Sequence, residues 1–331
     1  MTGLLKGKRI LVTGATGMIG SALVERLLTA NPGQEKEIVL VVRDAAKARR
    51  RFSGLGGGNS IVYVEHDLCL GTAPAVEGRF DYIVHLASTT HPRAYAETPI
   101  ATIALNVLAT KALLDIAAAS DGCRFVYASS VEVYGRNRGD VELFDEKYCG
   151  YIDCNTLRAG YPESKRCGEA LCQAYAKEKG VDVVIPRLAR VYGPGLLKTD
   201  TKALSQFLWN AAAGSDIVLK SDGSQHFSYL HCDDAVDGLL TVMLKGRRGE
   251  AYNVADEASD IRLRELAALI AEYAGAKVVF DLPDEAEKAG FSTATTARLD
   301  GSKLKALGWR PRYDIRAGIK ETIEALRKEA K

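Results

Sequence analysis

A doubly wound, parallel α/β sheet followed by a smaller, mixed C-terminal lobe is the fold class the sequence predicts, and three observations carry that reading. Strand-like and helix-like runs alternate from about residue 9 to residue 189. Three glycines, Gly14, Gly17 and Gly20, fall where the first strand-like run gives way to the first helix-like one. Past "YGPG" at 192–195 the alternation degrades.

Taken in order, "RILVTG" is a short β-rich run, and "MIGSALVERLLTA" follows with apolar residues at helical spacing. "EIVLVVR" and "SIVYVEHD" are the next strands, separated by the basic "RDAAKARRR" and a glycine-rich stretch, "SGLGGGN" (53–59), read as a surface loop. "FDYIVHLAS" precedes a long helix over about 100–119, and "RFVYASS" is the strand after it. A helix from Tyr161 to about Lys179 leads to the strand "VDVVIPRLA" at 181–189, which should join the first sheet. Helices near 201–213 and 262–274 punctuate the lobe. The expected division is a dinucleotide-binding domain at 1–195 and a substrate lobe at 196–331. The two interleave, with parts of 220–260 returning to the first domain.

The 331 residues suffice for one large domain or two unequal ones. A formal net charge of +2 gives no general attraction to nucleic acid or to a membrane surface. No apolar run is read as approaching the roughly 20 residues of a membrane span, and "MTGLLKGKR" lacks a signal-peptide core, so a cytoplasmic location is expected. Seven cysteines without a C-x-x-C pair read as free thiols. Only "HCDD" (231–234) crowds possible metal ligands; Asp233 is read as an N-cap for the following helix, and no metal site is assigned.

Strand, glycine turn and helix in that order make a dinucleotide-binding turn. Glycine lets the backbone approach a pyrophosphate, and the helix start offers unpaired N–H groups to its charge. Gly14, Thr16, Gly17, Met18, Ile19 and Gly20 form it. The second strand ends in both residue types that choose between cofactors: Arg43 favours a 2′-phosphate and Asp44 a free 2′-hydroxyl. The basic cluster tilts the reading toward NADP and leaves NAD open. Asp67 and Leu68 are set to meet the adenine, and Ala87 and Ser88 to line the cofactor's path.

Tyr-x-x-x-Lys, which stacks two side chains on one helical face, occurs at Tyr161/Lys165, Tyr175/Lys179 and Tyr273/Lys277. Only the first follows a serine-ending strand by some thirty residues and opens its helix with a proline, Pro162. "ASSVEVYG" (128–135) sets one acid, Glu132, two positions past a pair of serines, where a solvated loop residue is the plain alternative to a catalytic one.

"TGATGMIG", "HLAS", "NVLATKALL", "ASSVEVYG", "YPESK" and "RLARVYGPG", in this order, resemble the extended short-chain dehydrogenase/reductases that modify nucleotide-sugars, from about Lys8 to Leu326. The motifs come nearest to the UDP-glucuronate decarboxylases. The resemblance implies a Rossmann fold, an NAD(P) cofactor and oxidation of a sugar at C4. Ser130 would hold the substrate hydroxyl beside Ser129, Tyr161 would be the base, and Lys165 would bind the nicotinamide ribose and ease ionisation of the phenol. That chemistry is physically sound, because a phenol of pKa about 10 needs adjacent positive charge to act as a base at neutral pH.

Glu132 matches the glutamate of the 4,6-dehydratases and decarboxylases, serving at C5; the dehydratases carry another acid just before it, where this chain has Val131. Arg158 fits the decarboxylase pattern, three residues before the tyrosine. Two positions depart from the family. Arg190 stands where an asparagine helps to hold the diphosphate, and Phe227 where an arginine grips it, so Arg190 could fork onto the pyrophosphate instead. Arg298 resembles an arginine near the substrate. A homodimer through a four-helix bundle of the helices at 100–119 and 162–179 is implied. A C4 or C5 epimerase, a 4,6-dehydratase and a non-catalytic dinucleotide-binding regulator are the alternatives.

Overall fold

The computed structural model describes residues 5–29, 36–55, 60–90, 95, 97–281 and 295–329; the last part of the glycine-rich loop, 56–59, lies outside them. The first elements are β1 (Arg9–Thr13), α1 (Met18–Thr29), β2 (Glu37–Val42), α2 (Ala45–Arg51), β3 (Ser60–Glu65) and β4 (Tyr82–His85). There follow α3 (Pro99–Ala118), β5 (Arg124–Tyr127), β6 (Ser129–Ser130), α4 (Gly160–Glu178), β7 (Asp182–Leu188) and β8 (Arg190–Tyr192). The C-terminal part adds α5 (Ala203–Ala212), β9 (Ile217–Leu219), β10 (His226–His231), α6 (Cys232–Lys245), β11 (Ala251–Val254), β12 (Asp260–Arg262), α7 (Leu263–Ala274), β13 (Val278–Phe280), β14 (Thr296–Ala297), α8 (Ser302–Ala306) and α9 (Ile315–Glu329).

The main sheet runs β11-β7-β5-β4-β1-β2-β3, with β6 beside β7, and every pair is parallel. Its strands are near-continuous apolar runs because helices cover both faces. Along β1 the faces alternate: Ile10 and Val12 join the core shared with Leu23, Leu27 and Val84, while Leu11 joins the opposite core with Leu105, Leu113 and Phe125. Strand order reverses between β1 and β4, the point at which open α/β sheets bind ligands beyond their carboxyl ends. A smaller sheet, β12-β10-β14 with β8 alongside β10, and a two-stranded β9-β13 pair stand in the C-terminal part. β8 follows β7 after one residue, Ala189, so the chain steps directly from the large sheet into the small one.

Two expectations need correcting. Helix α3 is long and apolar enough to cross a membrane by length and composition. It nevertheless buries Leu105, Ala109 and Leu113 in the core beneath β4 and β5, as a sheet-covering helix does. Asp233 is not the N-cap of α6. Strand β10 runs into that helix without a loop, so His231, still extended, caps it, its Nδ1 accepting from the Asp233 N–H at 3.3 Å.

Candidate active site

The turn between β1 and α1 is glycine for two reasons of packing and one of room. Gly14 has φ +69°, and a Cβ there would lie 2.7 Å from the Ala87 nitrogen, where β4 ends. A Cβ on Gly20 would fall 2.0 Å from the Gly14 carbonyl oxygen. Among the described residues a Cβ on Gly17 would meet only the Gly14 oxygen, 3.4 Å away, so packing there does not exclude a side chain and glycine instead leaves space before the start of α1. That cradle fits a pyrophosphate. Met18 and Ile19, partly buried, anchor the helix start, and Thr16 is half-buried within the turn. Thr13 ties the two strand ends together: its hydroxyl accepts from the Ala87 N–H at 3.1 Å and meets His85 Nδ1 at 2.8 Å.

At the far end of this edge, Arg43 is exposed and Asp44 caps α2, accepting from the Lys47 N–H at 2.7 Å. Asp67 likewise caps the short turn Leu68–Leu70 through the Cys69 N–H at 2.9 Å, and Leu68 is buried.

β5, β6 and α4 bring the chemistry together. The Tyr161 phenol lies beside Ser130, Ser88 and Glu132, and the two serine hydroxyls favour its ionised form. Burial pushes the phenol up to about 12, against the lowering effect of those hydroxyl contacts. Lys165, one turn on, is buried, donates to the Ala128 carbonyl at 2.8 Å and lies 4.9 Å over the Tyr127 ring. Loss of water lowers its ammonium to about 7, with Glu169 opposing. Ser130 Oγ also accepts from the Glu132 N–H at 3.3 Å, opening the single turn Val131–Tyr134 that carries the acid.

Glu132 sits between two cations. Arg158 Nη2 donates to its Oε2 at 3.2 Å, and Arg190 Nη2 lies 3.6 Å from its Oε1. Arg190 rests 3.9 Å over the Phe227 ring. Ser129 points the other way, donating to Glu169 Oε1 at 2.5 Å on the far side of the strand. Arg298 pairs with Asp260, Nε to Oδ2 at 2.8 Å, in the small sheet; the structure does not bring it to Glu132 or Tyr161.

Two contributors escaped the sequence reading. Tyr95 stacks on Tyr161, ring centroids 4.8 Å apart, and lies under Arg158 at 5.0 Å. It had no periodic signal to betray it. Asn106, fully buried in α3, accepts from Ser88 at 2.8 Å and donates to Ser164 at 2.9 Å, and Ser164 donates to the Tyr161 carbonyl. An asparagine within the apolar stripe of "NVLATKALL" was its available sign, since a buried amide must be paired.

A glycine cradle at the switch point, with a buried Ser-Tyr-Lys group beside it, defines a nicotinamide-dinucleotide enzyme of the short-chain reductase type. The sequence matches the NAD dependent epimerase/dehydratase family over residues 10–255, and the chain belongs to that family. It is 29% identical over 323 residues to UDP-glucuronic acid decarboxylase 1 of Xenopus tropicalis, covering 97% of this chain and 73% of the relative. It is 31% identical over 321 residues to dTDP-glucose 4,6-dehydratase of Streptomyces antibioticus, covering 95% and 91%. The crystal structure of the Streptomyces venezuelae dTDP-glucose 4,6-dehydratase with NAD bound superposes with TM-score 0.79 at 27% identity, covering 97% of each chain.

Proposed function

We propose that the protein oxidises a nucleotide-linked hexuronate at C4 and then removes its C6 carboxylate, as a UDP-glucuronate decarboxylase does. The observation that carries this is the convergence of Ser130, Tyr161 and Glu132 in one site whose acid is flanked by two arginines. The carboxyl-end cradle Gly14–Gly20 would hold the pyrophosphate, Asp67 and Leu68 would face the adenine, Ala87 and Ser88 would line the path, and Lys165 would receive the nicotinamide ribose. A nicotinamide bound there supplies the two-electron acceptor and donor for the sugar carbon.

Tyr161, beside Ser130 and Ser88, takes the C4 hydroxyl proton. A ketone at C4 makes the C6 carboxylate a β-keto acid, so the C5–C6 bond breaks, carbon dioxide leaves and its electron pair is held as the C4–C5 enolate. Glu132 governs the proton that arrives at C5, and Tyr161 returns its proton when C4 is reduced. One proton is consumed overall and the cofactor ends as it began. Lys165, losing its hydration, favours positive charge only when a partner such as the phenolate is near, which couples the two groups.

Curated relatives that decarboxylate UDP-glucuronic acid support this reading. Val131 is buried and apolar, so no second acid precedes Glu132, which weighs against 4,6-dehydration. For the cofactor, the exposed Arg43 together with an Asp44 engaged as a helix cap supports NADP over NAD. Exposed Ile100 and Ile103 on α3, which packs along α4, support a homodimer through those helices. Seven unpaired cysteines support a reducing, cytoplasmic setting. Incubation with cofactor and UDP-glucuronate should release carbon dioxide and a UDP-pentose, and Tyr161→Phe should abolish both; recovery of untouched substrate from the wild-type protein would refute the reading.

A further inference from the structure

We propose that Arg190, acting with Arg158, is the specificity-determining receptor for a carboxylate on the sugar, and does not grip the diphosphate; this rests on the nucleotide-hexuronate reading above. Two guanidinium groups face one carboxylate, leaving a surplus positive charge at the position of Glu132. Each also keeps a buried N–H with no acceptor among the described residues, Arg158 Nη1 and Arg190 Nε. A buried N–H of a cation without an acceptor is costly, and a second carboxylate is the ligand that matches two forked donors.

The direction of Arg190 is set by its surroundings. Strand β8 pairs with β10 so that Arg190 stands beside Tyr229, and the guanidinium lies over the ring of Phe227, two residues before Tyr229 on β10. Tyr95 covers Arg158 in the same way. Each cation is thus held against an aromatic face, with one Nη2 toward Glu132. A neutral hydroxymethyl at C6 offers those cations a single uncharged oxygen, whereas a carboxylate offers two charged ones. That difference separates a hexuronate from a hexose bearing the same nucleotide.

The test uses the full-length, cofactor-loaded chain in a Tyr161→Phe background, so that binding is read without turnover. UDP-glucuronate, UDP-glucose and UDP are titrated calorimetrically. The parent should prefer UDP-glucuronate over UDP-glucose by about 10- to 100-fold, the range for a hydrogen-bonded charge. Adding Arg190→Gln should bring that ratio close to one while changing UDP affinity less than about threefold, and Arg190→Lys, which keeps charge but not the fork, should recover only part of it. Thermal melts of all three proteins confirm the fold is retained. If Arg190→Gln weakens UDP, UDP-glucose and UDP-glucuronate by the same factor, Arg190 holds the diphosphate and this assignment is wrong while the proposed function stands. If neither sugar nucleotide binds the parent, both fall together.

Discussion

Ser129 and Ser130 are neighbours, yet Ser129 donates to the Glu169 carboxylate while Ser130 accepts from the backbone N–H of Glu132, and the two carboxylates are held in opposite ways. Behind the strand, Glu169 is gripped by Arg187 through two bonds, Nε to Oε1 at 2.9 Å and Nη2 to Oε2 at 2.6 Å. The remaining Arg187 donor reaches the Tyr134 hydroxyl and the Glu146 carbonyl, and both partners are only 13% and 14% exposed. In front, Glu132 has one contact from Arg158 and a longer approach from Arg190, and among the described residues one buried N–H on each arginine finds no acceptor. A closed ion pair is a structural fastening. An open one, with donors unspent, is a place for a ligand.

Arg187→Ala should break the rear pair and leave Glu169 as an uncompensated buried charge, lowering stability by about 3–5 kcal/mol in urea denaturation. A loss below about 1 kcal/mol would mean that the rear pair is as dispensable as a surface one. Glu132→Gln is the contrasting change in front. Turnover should drop about 100-fold, as for loss of a general acid–base group, with the melting temperature nearly unmoved. A large fall in stability instead would make Glu132 a second fastening and erase the distinction.

Lys165 lies between the two regions and gives a pH signature. Burial lowers it from 10.5 to about 7. Between those values the unfolded chain binds a proton that the folded chain does not, so this group makes stability rise with pH across that window, by at most about 1.4 kcal/mol per unit. Cofactor-free wild type should therefore gain stability relative to Lys165→Met between pH 7.5 and 9.5; parallel curves would show that Lys165 keeps its charge in the folded state. The smallest effect belongs to the serines. Ser129→Ala should cost about 1 kcal/mol of stability, while Ser130→Ala should spare stability and reduce turnover. Equal behaviour of the two variants would mean that they do not face opposite ways.

The fold and the cofactor end were legible because their signals are local. Gly14 is demanded by a positive φ and a close backbone approach, and the apolar runs of β1 and β2 report burial on both faces. The membrane-length character of α3 was underread, since the Lys111 and Asp115 that interrupt its apolar run occupy only one short stretch. At the chemistry end, "ASSVEVYG" and "YPESK" pointed to Ser130, Glu132, Tyr161 and Lys165, but not to what surrounds them. Tyr95 carried no pattern, and the partner of Arg298 is Asp260, from a different strand of the small sheet.

By itself, the sequence determined the alternation of strand and helix, the glycine turn and the residue types that can move a proton, because each depends on neighbours within a few positions. Only the tertiary structure decided which arginine meets which acid. Arg158, Arg190 and Glu132 come from α4's approach, a strand of the small sheet and the turn after β6, and their distances follow from how those elements pack. Electrostatic pairing acts over a few ångströms of space, whereas sequence patterns record separation along the chain.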